Sequence, residues 1–186
     1  MDSANHGHCS FVPSMARTLK NNQLINIAYL TIPKDKRIEE TINWNGDTND
    51  IIKEIVRTDA ADYRQTEKFA QRIAGPTIAH TLENLWKFIK YNVHYLVDEL
   101  GIQKIKSPSC VWHTRICDCK GYALFVHSVL KNLKIVSHFK FAGYDELRDV
   151  THVYIIVPQK NGGYTTIDGC MPGFNIEKPT TKIILI

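Results

Sequence analysis

Apolar residues recur at steps of three and four along two stretches of the chain, and the spacing predicts two amphipathic helices. The longer stripe is Ile78, Leu82, Leu85, Trp86, Ile89, Val93, Leu96, Val97 and Leu100, stopped by Gly101. His80 and His94 fall along it as structural or surface residues. The second stripe is Cys119, Tyr122, Ala123, Val126, Val129, Leu130 and Leu133. Both read as core faces. Two shorter helical stripes precede them. Ile51, Ile52, Ile55 and Val56 form one, with caps offered by Thr48 to Asp50. The other starts at Asp59 as its cap, turns Tyr63, Phe69, Ala70 and Ile73 inward, and ends at Gly75-Pro76.

Extended segments show a different pattern. Residues 24–32, LINIAYLTI, are rich in strand-favouring side chains and stop at Pro33. Residues 37–44 place Ile38, Ile42 and Trp44 on one face. Together they predict a β-hairpin within an N-terminal segment, residues 1–46, closed by the turn signal NGDTND. Residues 1–20 carry no clear period, and His6, His8 and Cys9 read as part of a mobile terminus rather than a metal site. Strands are also predicted at 137–144, 152–157, 164–167 and 182–186, with a loop over 101–118. Helices come first and strands last. That order predicts a segregated α+β layout, helices packed on an antiparallel sheet, over residues 47–186.

Composition narrows the function. A chain of 186 residues, 44% hydrophobic, has enough apolar surface for one sizeable core. The net charge of +4 is scattered, with its longest cluster at residues 34–37, so it describes a solvated surface rather than a nucleic-acid stripe. No run reaches the length of a membrane span, and residues 1–19 lack the apolar core of a signal peptide. The expectation is a soluble protein in a reducing compartment. Its five cysteines, Cys9, Cys110, Cys117, Cys119 and Cys170, are then mostly free thiols.

Cys119 opens the second strong helix. A helix start presents unsatisfied N–H groups and a partial positive charge, which favour a thiolate and can hold an oxyanion. His152 begins the apolar strand HVYIIV, and Asp168 ends the next strand, YTTID. Antiparallel neighbours can bring the acid beside the imidazole. Thiol, base and orienting acid in that order follow the logic of an activated nucleophile. A rival reading takes Cys110, His113, Cys117 and Cys119 as four soft ligands of a structural zinc in a binding domain. Their spacing is irregular, and zinc there leaves His152 and Asp168 unexplained. A disulfide between Cys117 and Cys119 is discounted as strained. Cys110 and Cys170 receive no role, and His113, His127 and His138 no named partner. Tyr154 should share the sheet face of His152.

DCKGYALFVHSVLKNLKI resembles the nucleophile segment of the transglutaminase-like superfamily: usually Gly-Asp-Cys, a polar pair, a small residue and an aliphatic helix. FKFAGY looks like the strand that follows, THVYIIV the histidine strand and YTTIDG the aspartate strand. The resemblance covers about residues 76–170. It implies a papain-like core with Cys119 as nucleophile, His152 as base and Asp168 as its partner. TIPKDKRIEETINWNGDTNDIIKEIV and YNVHYLVDELGIQKIKSPSCVW are similar to transglutaminase-like proteins of bacteriophages and prophages, which adds context but no chemistry. Two positions depart from the pattern: Cys117 stands where the family commonly has glycine, and Gly121 where it has a polar residue. Trp112 is the upstream candidate for a second oxyanion donor, with a core or groove-lining role preferred.

The function expected is cysteine-dependent acyl transfer on a peptide or protein amide, with hydrolysis ahead of cross-linking because water is the default nucleophile. No cofactor is implied. The partner is a peptide or protein substrate, with neither nucleic acid nor membrane. If phage-encoded, the chain belongs in the host cytoplasm or virion and can have a phage structural partner. An inactive structural or assembly module on the same fold is the other alternative.

Overall fold

Six helices carry most of the buried apolar surface of this computed structural model, which describes residues 20–34, 40–42, 46–99, 101–146 and 149–186. The HGHC stretch lies outside the described residues, as does most of the predicted strand at 37–44. Helix α1 spans Asn21–Thr31, where a strand was expected. Leu24, Ile25, Ala28 and Ile32 recur at helical steps and pack on the common core, with Ala28 and Ile32 buried. Burial of that stripe outweighs the β-branched composition, since strand propensity is largely a matter of what the side chains pack against. Strand β1, Glu40–Ile42, pairs antiparallel with β3, Gln103–Ile105, so the expected hairpin does not form.

Helix α2, Thr48–Asp62, is capped by Asp47, whose carboxylate accepts from the Asp50 N–H at 3.0 Å. It runs straight through Asp59. Instead of capping a new helix, Asp59 is buried and accepts from His127 Nδ1 at 2.8 Å and Lys131 Nζ at 2.6 Å. His127 thereby gains the partner that the sequence did not suggest. A 3-10 turn, Tyr63–Thr66, leads into α3, Glu67–Ile73.

Helix α4, Ile78–Asn92, ends two turns earlier than its apolar stripe predicts. Competing partners stop it. The Asn92 carbonyl accepts from Arg115 Nη1 at 2.7 Å, and the Val93 carbonyl from the Tyr122 hydroxyl at 2.8 Å. The His94 N–H turns to the Arg115 carbonyl at 2.7 Å. His94–Tyr95 thus becomes a short strand, β2, parallel to β4, Ile116–Cys117, and Leu96 and Val97 stay exposed. Between β3 and β4 lies α5, Pro108–Thr114, with Ser107 as cap and proline in the first turn. Helix α6, Cys119–Asn132, follows directly.

The predicted C-terminal strands form as β5 (His138–Gly143), β6 (His152–Pro158), β7 (Tyr164–Ile167) and β8 (Lys182–Leu185). They make an antiparallel sheet in the order β7-β6-β5-β8. Phe139, Phe141, Val153, Ile155 and Val157 share one buried cluster with the apolar face of α6. Ala142, Tyr154 and Ile156 form a smaller cluster of their own. The layout is α+β, with a buried helix laid across an antiparallel sheet, as the order of elements predicted. Among the described residues no helix is long and apolar enough to cross a membrane.

Candidate active site

Cys119 is the first residue of α6, and Asp118 is its cap, accepting from the Lys120 N–H at 3.0 Å and more weakly from that of Gly121 at 3.4 Å. His152 is the first residue of β6, paired with Ala142 of β5. Asp168 directly follows β7, whose antiparallel register with β6 pairs Ile167 with Ile155. The start of one strand and the end of the next therefore meet over the start of α6. His152 Nε2 lies 2.7 Å from Asp168 Oδ2, and His152 and Cys119 line the same cavity. Because Nε2 is taken by the carboxylate, Nδ1 is the ring atom left for sulfur. Of the three residues predicted from sequence, His152 and Asp168 are hydrogen-bonded, and Cys119 lines the same cavity as His152.

Electrostatics follow from that contact. Burial alone would push the His152 pKa down. The hydrogen bond to Asp168 and the electrostatic pull of the Cys119 and Asp168 groups outweigh it and raise the group to about 10. The carboxylate is held from several sides. Its Oδ1 accepts from the Cys170 N–H at 2.8 Å, which leaves Oδ2 for the histidine. Trp86 Nε1 donates to the Asp168 carbonyl at 2.9 Å, and Lys90 Nζ to the Gly169 carbonyl at 2.9 Å. Both donors sit on α4, so that helix fixes the acid-bearing loop. Gly169 permits the close approach: a Cβ there would lie 2.7 Å from the Tyr122 ring.

The two thiols of the CDC motif are not equivalent. Cys117 is buried, and desolvation, reinforced by the Asp118 charge, pushes its thiol well above the usual range. Its side chain fills the space beside Gly121. A Cβ on residue 121 would lie 2.5 Å from Cys117 Cβ and 2.8 Å from its Sγ. Cys117 and Gly121 therefore form one packing unit, a cysteine on β4 against a glycine on α6.

The rival zinc set of Cys110, His113, Cys117 and Cys119 is not among the donor clusters of the described residues. Among the described residues, the cluster of three donors able to share one ion is His152, Asp168 and Cys170. Cys110 and His113 sit on α5, where His113 Nε2 lies 3.1 Å from the Ile32 carbonyl, while Cys117 faces Gly121. Short spacing along the chain did not translate into a common direction. Trp112 is wholly buried, stacked on Phe88 at 5.0 Å with the Arg115 guanidinium 3.4 Å from its ring centre, so it belongs to the core. Tyr154 does share the face of His152, with ring centres 5.5 Å apart.

Lys120 and Gln103 were not foreseen at the site, whereas Cys170 lies near Asp168, as its place two residues along the chain suggested. The Cys170 thiol lies within 4.8 Å of the His152 ring nitrogen and the Asp168 carboxylate. Lys120, buried, pairs with Asp118, with Asp98 at 3.1 Å and with Gln103 Oε1 at 2.9 Å. Beside Cys119 and His152 opens a cavity of about 300 Å³, walled by Ile51, Phe141, Val150 and Val153, with Gln103 also lining it. Gln103 and Lys120 lie on separate elements, β3 and α6, and no spacing in the chain relates them.

No protein-family model matches this chain, and no curated protein is similar to it. Among solved structures, it is similar to one described as a "Putative Cysteine Protease" from Cytophaga hutchinsonii, at 14% identity and a TM-score of 0.48. The match covers 70% of this chain and 48% of that one, so it spans about half of that protein's length.

Proposed function

We propose that this chain is a cysteine-dependent hydrolase of peptide or protein amides, with Cys119 as nucleophile, His152 as base and later acid, and Asp168 as the group that orients the ring. The observation that carries the reading is the His152–Asp168 hydrogen bond of 2.7 Å beside Cys119 at the start of α6, His152 and Cys119 lining one cavity, on a carboxylate whose other oxygen is already taken by a backbone N–H. The sequence resemblance to the transglutaminase-like superfamily supports the same three roles.

The chemistry follows from the contacts. The thiol proton passes to His152 Nδ1, and sulfur attacks the amide carbonyl. The Lys120 and Gly121 N–H groups are engaged by the cap, so the oxyanion takes the N–H of Cys119 itself. Gln103 supplies the second donor: Lys120 holds its Oε1, which leaves the side-chain NH2 for a ligand in the cavity. His152 then protonates the departing amine, leaving a thioester on Cys119, and water activated by the same ring releases the acid. The apolar wall of the cavity receives a side chain of the substrate next to the scissile bond.

Labelling with a peptide-like thiol-reactive probe tests this. Wild type and Cys117→Ala should label at one site, and Cys119→Ala should not. His152→Ala should slow labelling by roughly 10²-fold or more, the usual contribution of a positioned base. If Cys119 reacts with iodoacetamide at pH 6 no faster than free cysteine, the proposal is wrong.

A further inference from the structure

We propose that His152, Asp168 and Cys170 form a zinc site whose occupation switches the Cys119 centre off. The switching part rests on the function proposed above; the binding part does not. The imidazole nitrogen, carboxylate oxygen and thiol sulfur lie within 4.8 Å of one another. Nitrogen, oxygen and sulfur together suit a borderline-soft ion such as zinc, whereas magnesium and calcium take oxygen ligands almost throughout. Three protein donors leave a fourth tetrahedral position for water, the arrangement of an open zinc site. The donors are also supported from behind. The Asp168 and Gly169 carbonyls are pinned by Trp86 and Lys90, and Cys170 is tied to Asp168 through its own N–H. Such supports are what orient ligands around an ion. Cys170 is only half-buried, so the ion has a route in.

Zinc and the catalytic hydrogen bond exclude each other. Zinc–ligand bonds of about 2.0–2.3 Å in a tetrahedron set the ligand atoms roughly 3.3–3.7 Å apart. His152 Nε2 and Asp168 Oδ2 are 2.7 Å apart, so they must separate by roughly 0.6–1 Å for an ion to enter. The ion occupies the lone pair of Nε2. The proton that Nε2 shared with Asp168 leaves to solvent with that of the Cys170 thiol, and the ring loses its orienting partner. Cys119 is outside the donor cluster, so the site should survive its removal.

That separation makes the test clean. Cobalt(II) is titrated into Cys119→Ala protein, with the thiolate-to-cobalt charge-transfer band and the visible bands of tetrahedral cobalt as readout. One equivalent should bind, zinc should displace it, and a tenfold excess of magnesium should not. Adding Cys170→Ala to that protein should abolish the charge-transfer band, with circular dichroism to verify the fold. A second arm compares iodoacetamide labelling of Cys119 with and without zinc. Zinc should slow the otherwise wild-type protein at least tenfold, and the ratio should return to one in Cys170→Ala. No cobalt band, or a band that persists without Cys170, overturns the site. A cobalt band with no zinc effect on labelling overturns the switch alone. If Cys119 is unreactive even without zinc, the proposed function fails while the cobalt arm still decides the site.

Discussion

Gly121→Ala tests whether Cys117 and Gly121 are one packing unit. The new methyl would sit 2.5 Å from Cys117 Cβ, 2.8 Å from its Sγ and 3.1 Å from Val111 Cγ2. Carbon atoms in contact prefer about 3.5–4.0 Å, so the start of α6 or the β4 backbone must move by roughly 1 Å. Overpacking of this kind costs about 1–3 kcal/mol. Alanine recovers up to about 1 kcal/mol of helix propensity, which partly masks that cost in the single variant. The double-mutant cycle removes the mask. Cys117→Gly alone loses a buried side chain and stiffens nothing in return, for a cost of about 1–3 kcal/mol. With Cys117→Gly present, however, the two closest clashes are gone and alanine keeps its helical gain. The cycle should therefore show a coupling of about 1–3 kcal/mol, well above the deviation of roughly 0.5 kcal/mol seen for independent sites. Urea unfolding of the four proteins measures it. Because Cys119 begins the same helix turn, its labelling rate should fall in Gly121→Ala and recover in the double variant. Additive stabilities within roughly 0.5 kcal/mol would refute the packing unit.

Trp86→Phe removes the donor to the buried Asp168 carbonyl and should cost about 1–3 kcal/mol in urea unfolding, with slower Cys119 labelling because the acid is less well held. A nuclear magnetic resonance titration of His152 should find its midpoint at about 10, and Asp168→Asn should move it back toward 6.5. Since the folded value lies above the unfolded one, the stability it contributes is complete below pH 6.5 and is lost as pH rises to about 10. Asp59 behaves oppositely. Burial opposes its ionisation, but the hydrogen bonds from His127 and Lys131 outweigh it and hold the carboxyl below its ordinary 3.8. Its contribution is present above that pH and lost as pH falls through the lower folded value, so Asp59→Asn should destabilise the protein at pH 7 and flatten the acid limb of the stability curve.

What was legible in the sequence was whatever depends on near neighbours along the chain. The α6 stripe and the four C-terminal strands repeat with a period that the backbone itself imposes, and all of them formed close to their expected limits. The three residues proposed to act together were legible for a related reason. Each stands at an element end, Cys119 at a helix start, His152 at a strand start and Asp168 at a strand end, and antiparallel pairing gathers such ends.

The misreadings have a common cause. Residues 24–32 carry strand-favouring side chains, yet a helical stripe among them found a core to cover. The stripe of α4 continued in sequence past Asn92, but the Asn92 and Val93 carbonyls and the Asp98 carboxylate are bonded to Arg115, Tyr122 and Lys120. The four presumed zinc ligands were close in sequence and diverged in space, while His152, Asp168 and Cys170 converged. The chain by itself determined the periods, the element ends and the order of thiol, base and acid. Only the tertiary structure decided which polar group meets which. A buried donor or acceptor must find a partner wherever the packing places one, and those partners come from segments that no local pattern connects.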